Sequence, residues 1–345
     1  MLIAFHCQQL GVRGTEVATY DYAHYNELLL GNRSLIIVPK DSPHTHPHGI
    51  TKFTERFKVI FYHDISELDG ILVNEGVDLL YVLKAGFNDG IFSTKIKTVI
   101  HSVFRYNDPH GDVYAYISKW LSQELSEGKH PYVPHMIQLP EIKGDMRVEL
   151  GIPSDALVFA RYGGLDTFDL HFARQAVYEV AKKKSEIYFL FMNTEEFIGG
   201  RLFRKRWFNK ICRPIIYPIK SFKNIIFLPP TSSMEEKVKF INTSDAMLHA
   251  RGEGETFGIA CGEFSIKNKP VITWNTPQVT DKCHIQNLGD KGIYYANKKE
   301  LKDILLTFKP QPKKNWDAFS DKFNPQEVMK KFKEVFIDKN NNFEP

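Results

Sequence analysis

The stretch RGEGETFGIACGEFSIKNKPVI, residues 251–272, decides the fold of this chain. It follows a short apolar run, DAMLHA at residues 245–250, which predicts a buried parallel strand. Glycines at positions 252, 254 and 258 then favour a turn, and a helix is expected from this turn to about Lys267. A second apolar run, PVITW, comes next. The order of strand, glycine turn, helix and strand is typical of a parallel sheet covered by helices.

Two carboxylates of this stretch, Glu255 and Glu263, lie eight positions apart around the predicted helix start. Free backbone N–H groups at a helix N-terminus attract phosphate groups, and eight helical residues rise about 12 Å. One glutamate is therefore expected to face the sugar side of a bound diphosphate, and the other to accept the ribose hydroxyls. The turn between them, Thr256, Phe257 and Gly258, is predicted to contact the same donor.

The motif GETFGIACGE followed by NKPVIT resembles the E-x7-E signature of retaining glycosyltransferases of the GT-B fold, family four in the usual classification. The resemblance implies two doubly wound, Rossmann-like α/β domains that face a cleft. It also implies front-face displacement with retention of configuration, in which Glu255 orients the sugar and Glu263 binds the ribose.

The length of the chain, 345 residues, fits two domains better than one. Strand and helix signals alternate over residues 1–138, predicted as the acceptor-side domain. A proline-containing linker, VPHMIQLPEIKGDMRVELGIP, then interrupts the pattern, and the alternation restarts in a donor domain at residues 139–325. Residues 326–345 are predicted to form a final helix that crosses back to the first domain, as the resemblance implies.

The composition is that of a globular enzyme, with 43% hydrophobic and 25% charged residues and no apolar run long enough to span a bilayer. The opening MLIAF is too short for a signal peptide. Four cysteines without C-x-x-C spacing favour a reducing, cytoplasmic location. Residues 1–138 hold 12 basic against 15 acidic residues, and the remainder holds 33 against 26. We therefore expect the second half to bind the anionic donor.

The second domain is predicted to open with FARYGGLDTF, a strand followed by a glycine turn. Arg161, Gly163 and Gly164 resemble the arginine and glycine-rich loop that family-four enzymes place beside the donor diphosphate. Arginine suits this role because its planar fork contacts two phosphate oxygens at once. The resemblance thus implies that Arg161 stabilises the leaving group.

One feature departs from the family pattern. A lysine usually follows that arginine about six positions later, where this chain has Thr167 and Phe168. Arg251 follows the DAMLHA strand and is predicted to supply the missing cation.

The first domain offers two further candidates. His101 ends the strand KTVIH, where family members place a histidine that faces the donor sugar. Gly14 belongs to the turn GVRGTE, which resembles the family's glycine loop near the donor phosphates, and Arg13 precedes it. A histidine at a strand end is also common as a structural residue, and a glycine turn is ordinary turn chemistry.

No metal or cofactor is expected. The histidines of PHTHPH lack the usual spacing of zinc ligands, and no D-x-D motif is present for a cation bridging the diphosphate. The basic and aromatic segment at residues 198–223 is either a peripheral membrane contact or a surface insertion. No nucleic-acid-binding motif accompanies it.

The sequence therefore predicts a transfer of sugar from a UDP- or GDP-sugar to a glycan, glycoprotein or glycolipid. Three alternatives stay open: a nucleotide-sugar epimerase or hydrolase of the same fold, a non-catalytic protein that binds nucleotide sugars, and a dinucleotide-dependent oxidoreductase. The last is disfavoured because neither GVRGTE nor RYGGLD supplies G-x-G-x-x-G. Sugar, base and acceptor cannot be inferred from the sequence.

Overall fold

The structure, a computed structural model, describes residues 1–11, 14–197 and 222–338. Its contacts divide the chain into two compact units. The first contains Met1–Gln138 together with the chain from Ser320 onward, and the second contains Leu139–Phe319. In the described part of the chain, no helix combines the length and the apolar character needed to cross a membrane.

The first unit is built on a six-stranded sheet in which all neighbouring strands are parallel. Its spatial order is β3-β2-β1-β4-β5-β6, and its strands are β1 (Leu2–His6), β2 (Arg33–Pro39), β3 (Lys58–Tyr62), β4 (Leu79–Lys84), β5 (Thr98–Ser102) and β6 (Val113–Tyr116). Every residue of β4, LLYVLK, is buried, as expected for a central strand covered on both faces. The helices are α1 (Gly14–Leu30), α2 (Pro47–Thr54), a 3₁₀ turn (Ile65–Glu67), α3 (Leu68–Asn74) and α4 (Lys119–Ser126).

The second unit repeats this plan with a parallel sheet in the order β14-β12-β10-β7-β8-β9. Its strands are β7 (Leu157–Tyr162), β8 (Ile187–Met192), β9 (Ile225–Leu228), β10 (Ala246–His249), β12 (Val271–Trp274) and β14 (Gly292–Tyr295), and a separate pair is formed by β11 (Gly254–Glu255) and β13 (Asp281–Lys282). The described helices are α5 (His171–Lys183), α6 (Met234–Thr243), α7 (Ile259–Ile266), α8 (Cys283–Leu288), a 3₁₀ turn (Gly289–Lys291) and α9 (Lys298–Thr307).

The end of the chain packs on the first unit through α10 (Ser320–Phe323), α11 (Pro325–Phe332) and a π-helical turn (Lys333–Asp338). Asn324 caps α11 and Pro325 occupies its first turn, a position that needs no N–H donor. Phe332 stacks on Tyr22 of α1 at 5.5 Å between ring centroids and lies 5.3 Å from the ring of Tyr81. The final helix is therefore part of the aromatic core of the first unit and does not form a separate element.

The strand order of the second sheet contains a topological switch. The chain runs outward from β7 to β8 and β9, and then returns to place β10 on the other side of β7. In open parallel sheets, ligands bind outside the carboxyl ends of the strands at such a switch point. The predicted fold class, two doubly wound Rossmann-like domains, is confirmed. The segments that follow β7 and β10 are therefore the first place to look for a site.

Candidate active site

Arg161 lies near the carboxyl end of β7 and is buried, with 3% of its surface exposed. Its guanidinium donates to the hydroxyls of Thr194 and Thr167, and to the carbonyl oxygen of Gly164 at 3.0 Å. All of these acceptors are neutral. Burial lowers the pKa of Arg161 to about 10, so the group stays charged at neutral pH. Among the described residues it forms no ion pair, and Glu255 and Asp169 act on its pKa only from longer range.

The glycine turn after β7 is shaped by this guanidinium. A Cβ atom on Gly163 would lie 2.8 Å from Nη2 of Arg161, and one on Gly164 would lie 2.9 Å from Cγ2 of Thr167. Only glycine lets the backbone approach so closely. Phe168 is one of the two residues found about six positions after Arg161, where the family that the motif resembles usually has a lysine. It is fully buried, and its ring centroid lies 5.9 Å from Cζ of Arg161. Thr167 and Phe168 thus support Arg161 instead of adding a second cation.

The segment after β10 contains the two glutamates, but they do not share one helix. Glu255 lies in β11, which pairs with β13, and the helix α7 begins only at Ile259. Gly258 separates them with a left-handed backbone, φ +93°, and its hypothetical Cβ would lie 2.8 Å from the Cβ of His284. The predicted single helical element is therefore a strand, a glycine turn and a helix. Of the two carboxylates, only Glu263 is helical.

The carboxylate of Glu255 is held from two sides. Nη1 of Arg251 contacts Oε2 at 2.9 Å, and Nε2 of His249 lies 3.2 Å from Oε1. Burial raises the pKa of Glu255, but the hydrogen bond from His249 and the charge of Arg251 outweigh it and lower the pKa to about 2. Glu255 is therefore ionised. Its orientation is set by His249, the last residue of β10, and by Arg251, which lies just after the strand.

Arg251 was predicted to supply the cation that the family lysine provides. The structure instead pairs its guanidinium with Glu255 and, at 3.2 Å, with the exposed carboxylate of Glu253. Its charge is thus already matched by two carboxylates. The leaving-group role of Arg251 stays a prediction, and Arg161 is the arginine of this site that has no carboxylate partner among the described residues.

Glu263 faces the carboxyl end of β7 from α7 and is buried. The hydroxyl of Tyr162 donates to Oε2, and Nζ of Lys237 on α6 contacts Oε1 at 2.9 Å. Sequence reasoning missed both partners. Tyr162 follows Arg161 at the end of the strand LVFARY and could have been found from that position, whereas Lys237 lies on a charged helix that carries no such signal.

The turn residues between the glutamates are buried. Phe257 packs edge-on to Phe319 with 6.4 Å between ring centroids, so its side chain fills the core. Thr256 is buried as well. A ligand contact by this turn would therefore run through the backbone, next to the start of α7.

His249, Thr273 and His284 extend the contacts of Glu255 into the unit. Nδ1 of His249 lies 2.8 Å from Oγ1 of Thr273, which in turn lies 3.1 Å from Nε2 of His284. All three residues are buried. The sequence analysis did not single them out, although a histidine that ends an apolar strand was the signal used for His101.

The donor contact predicted for His101 stays a prediction, and its surroundings are those of a core residue. The residue is fully buried on β5, with Nδ1 2.7 Å from the hydroxyl of Tyr81 and Nε2 2.8 Å from the carbonyl oxygen of Val133. Its ring also lies 5.3 Å from that of Phe336. Burial lowers its pKa to about 4. His101 is therefore a core residue of the first unit, because both ring nitrogens already have partners.

Three other predictions concern the turn before α1, the basic and aromatic segment, and a metal site. Gly14 is the first residue of α1, but Arg13 beside it lies outside the described residues. Most of the basic and aromatic segment, residues 198–221, also lies outside them, so the membrane contact stays a prediction. Within the described ranges, no group of three or more His, Cys, Asp or Glu side chains is arranged to hold a metal ion.

Comparison with known proteins bears on the fold. No protein-family model and no curated protein sequence matches the chain. Among solved structures, the Anabaena protein HepE in complex with UDP and glucose matches with a TM-score of 0.71 at 13% identity, covering 98% of this chain and 99% of HepE. A Rickettsia africae glycosyltransferase matches with a TM-score of 0.69 at 15% identity, covering 98% and 99% of the two chains.

A third similar structure is a Listeria monocytogenes protein assigned as a UDP-N-acetylglucosamine 2-epimerase. Its TM-score is 0.61 at 12% identity, with 98% of this chain and 97% of that chain covered. At such identities the likeness concerns architecture. The chain therefore has the GT-B fold, with two Rossmann-like units.

Proposed function

We propose that this protein is a glycosyltransferase that moves a sugar from a nucleoside-diphosphate sugar to a hydroxyl group of a glycan, glycoprotein or glycolipid. One observation carries the proposal. Arg161 keeps a buried positive charge, neutralised by no carboxylate among the described residues, at the switch point of the second sheet.

Burying an ionised group without a counter-ion costs several kcal/mol, roughly. Perturbed charged groups cluster at functional sites, where a ligand offsets that cost. A guanidinium has five N–H donors, and a diphosphate supplies both the missing negative charge and further acceptors. The start of α7, just after Gly258, adds backbone N–H groups that point outward from the helix. These two features together favour an anionic phosphate ligand.

The glutamates suit the two ends of such a ligand. We assign the sugar hydroxyls to Glu255 and the ribose hydroxyls to Glu263. An ionised carboxylate has about four lone-pair positions. Glu263 uses its oxygens for Tyr162 and Lys237, and it therefore keeps acceptor positions for a ribose.

The E-x7-E resemblance implies that the reaction retains the anomeric configuration, and we propose the same here. We also propose that no divalent metal is needed, because Arg161 and the start of α7 supply the positive field at the leaving diphosphate. Transfer that disappears in EDTA and returns with Mn²⁺ or Mg²⁺ would overturn the metal-independent part of the proposal.

A second function, nucleotide-sugar epimerisation, is favoured by the likeness to the Listeria protein. It would use the same diphosphate and ribose contacts. It predicts a changed sugar on the nucleotide in the absence of any acceptor, whereas a transferase requires one. A protein that only binds nucleotide sugars would give neither product.

Ligand-induced thermal stabilisation with a panel of UDP- and GDP-sugars tests the donor class, since binding raises the unfolding free energy by RT ln(1 + [L]/Kd). HepE has been solved with UDP-glucose, which supports including that donor first. The stabilised donor is then incubated with and without glycan acceptors, and the products are separated by chromatography and identified by mass spectrometry and NMR, because an epimer has the same mass as the donor. No stabilisation by any nucleotide sugar would contradict the proposed function.

A further inference from the structure

Four polar side chains form a continuous chain from the interior of the second unit to the carboxylate proposed to face the sugar. His284 contacts Thr273 at 3.1 Å, Thr273 contacts His249 at 2.8 Å, and His249 contacts Glu255 at 3.2 Å. Thr273 and His284 are fully buried, while the side chain of Glu255 is 24% exposed. The chain therefore ends at a group that a ligand can reach.

The direction of each hydrogen bond follows from which of its two atoms carries a proton. Glu255 is ionised and can only accept, so Nε2 of His249 carries a proton and donates it. When the His249 ring is neutral, Nδ1 has a lone pair and must accept. Thr273 has a single hydroxyl proton, which it then gives to Nδ1 of His249.

The remaining contact is then determined as well. The oxygen of Thr273 accepts from Nε2 of His284, which is neutral because burial lowers its pKa to about 3. Each donor in the chain is used once: the Glu255 carboxylate specifies the tautomer of His249, and the Thr273 hydroxyl then specifies that of His284. Which nitrogen of a histidine carries its proton is decided by the partner of the other nitrogen.

We propose that Thr273 and His284 are positioning residues that act through His249 to orient the Glu255 carboxylate toward the donor sugar. The proposal rests on the proposed glycosyltransferase function. Arg251 holds Oε2 and His249 holds Oε1, so rotation of the carboxylate is blocked at both oxygens. Productive geometry in active sites must be held within about 0.5 Å, and this depends on the residues behind the contacting group.

The test replaces one hydroxyl group by a methyl group of similar volume. Thr273→Val should lower turnover at saturating donor about tenfold, while the affinity for UDP measured by calorimetry stays unchanged. Thr273→Ser keeps the hydroxyl and should recover most of the turnover. Thr276→Val is the matched control, since Oγ1 of Thr276 is buried without a hydrogen-bond partner among the described residues.

Equal turnover in Thr273→Val and Thr276→Val would overturn the proposal. A Thr273→Ser enzyme as slow as Thr273→Val would also overturn it, because the effect would then come from packing of the methyl group and not from the hydroxyl.

A second readout does not depend on catalysis. Long-range ¹H–¹⁵N spectra of protein labelled with ¹⁵N-histidine report the tautomer of each ring. We expect His249 as the Nε2–H form in both proteins, because Glu255 can only accept, and we expect the Nδ1 signal of His249 to shift in Thr273→Val, where that nitrogen loses its hydrogen-bond donor. If wild type transfers no sugar, the proposed function fails. If the His249 signals are the same in wild type and Thr273→Val, the hydrogen-bond chain fails, whatever the activity.

Discussion

Each of the two sheets carries a buried cation at its carboxyl edge, but the two cations are compensated differently. Lys84, the last residue of β4, is 2% exposed and is paired with the carboxylate of Asp89. Arg161, near the end of β7, has only neutral acceptors as hydrogen-bond partners among the described residues. Both positions lie beside a switch in strand order, so topology alone does not explain the difference.

The difference is one of electrostatic cost. A buried ion pair offsets part of the desolvation of both charges, whereas a buried guanidinium without a counter-ion retains most of that penalty. Such a group does not stabilise the fold unless a bound ligand supplies the opposite charge. The comparison therefore supports the proposal that the anion site lies in the second unit. It also explains why the same topology in the first unit does not by itself predict phosphate binding.

The largest effect is expected for Arg161→Met, which removes the unpaired charge and keeps an unbranched side chain. Turnover should fall by a factor of roughly 10² to 10³, the range for losing one preorganised donor to a developing negative charge. Nucleoside-diphosphate affinity should fall too, since each charge-assisted hydrogen bond contributes about 1.5–3 kcal/mol. Steady-state kinetics and calorimetry with UDP and GDP measure the two quantities.

Lys84→Met is the matched control for this variant. It removes a buried cation from the first unit, and it should lower stability while leaving nucleotide affinity unchanged in the folded protein. Equal losses of affinity in both variants would break the comparison between the two sheets.

An intermediate effect is expected at Glu263. Glu263→Ala should weaken nucleotide binding about 10- to 100-fold, since a charge-assisted hydrogen bond to ribose worth about 1.5–3 kcal/mol is lost. It also strips Lys237 and Tyr162 of their partner, so Glu263→Gln is needed as a variant that preserves their contacts. Wild-type UDP affinity in both variants would remove Glu263 from the donor site.

The segment from residue 245 to 272 was the strongest basis for prediction because its pattern is local. An apolar run, a glycine turn and a short apolar helix each depend on neighbours within a few positions. The fold class followed from it, whereas the single helix predicted to carry Glu255 and Glu263 did not. The partners of Glu263 did not follow either, since Tyr162 and Lys237 approach from other elements and are brought together only by the sheet order.

A smaller effect is expected for Arg251→Gln. The structure gives Arg251 the task of holding Glu255, with His249 as a second support. Turnover should therefore fall only about tenfold, equivalent to about 1.4 kcal/mol, with nucleotide affinity near that of wild type. Glu253→Gln is the matched control: its partly solvated pair with Arg251 should contribute less than about 1 kcal/mol. A loss as large as that of Arg161→Met would restore the predicted role of Arg251 as a direct leaving-group cation.

His101 and His249 show that the position of a histidine at the end of a predicted strand does not by itself identify a residue of the site. His101 and His249 both lie at the carboxyl end of a buried parallel strand. One points into an aromatic core and the other reaches a site carboxylate. The strand pattern does not reveal which helices cover each face. The core around His101 depends on Phe336, a residue more than 200 positions away.

The smallest effect on nucleotide binding is expected for His101→Gln, which should change stability instead. Burial favours the neutral form of His101 and lowers its pKa to about 4, although the hydrogen bond to the carbonyl oxygen of Val133 acts in the opposite direction. Between that pH and about 6.5, the unfolded-state value, the unfolded chain binds a proton that the folded chain excludes. The wild-type unfolding free energy should therefore fall as the pH is lowered through this window, by about 1.4 kcal/mol per unit for this residue.

Urea unfolding at intervals from pH 7 to pH 4.5 measures this slope. In His101→Gln the dependence should be shallower by about 1.4 kcal/mol per pH unit, and the other buried histidines retain the rest of the slope. Loss of two buried hydrogen bonds should also lower stability at pH 7 by about 1–3 kcal/mol, while UDP affinity of the folded protein stays at the wild-type value. An unchanged slope together with weakened binding of the nucleotide sugar would show instead that His101 faces the donor, and the contrast drawn between the two units would then have to be abandoned at this residue.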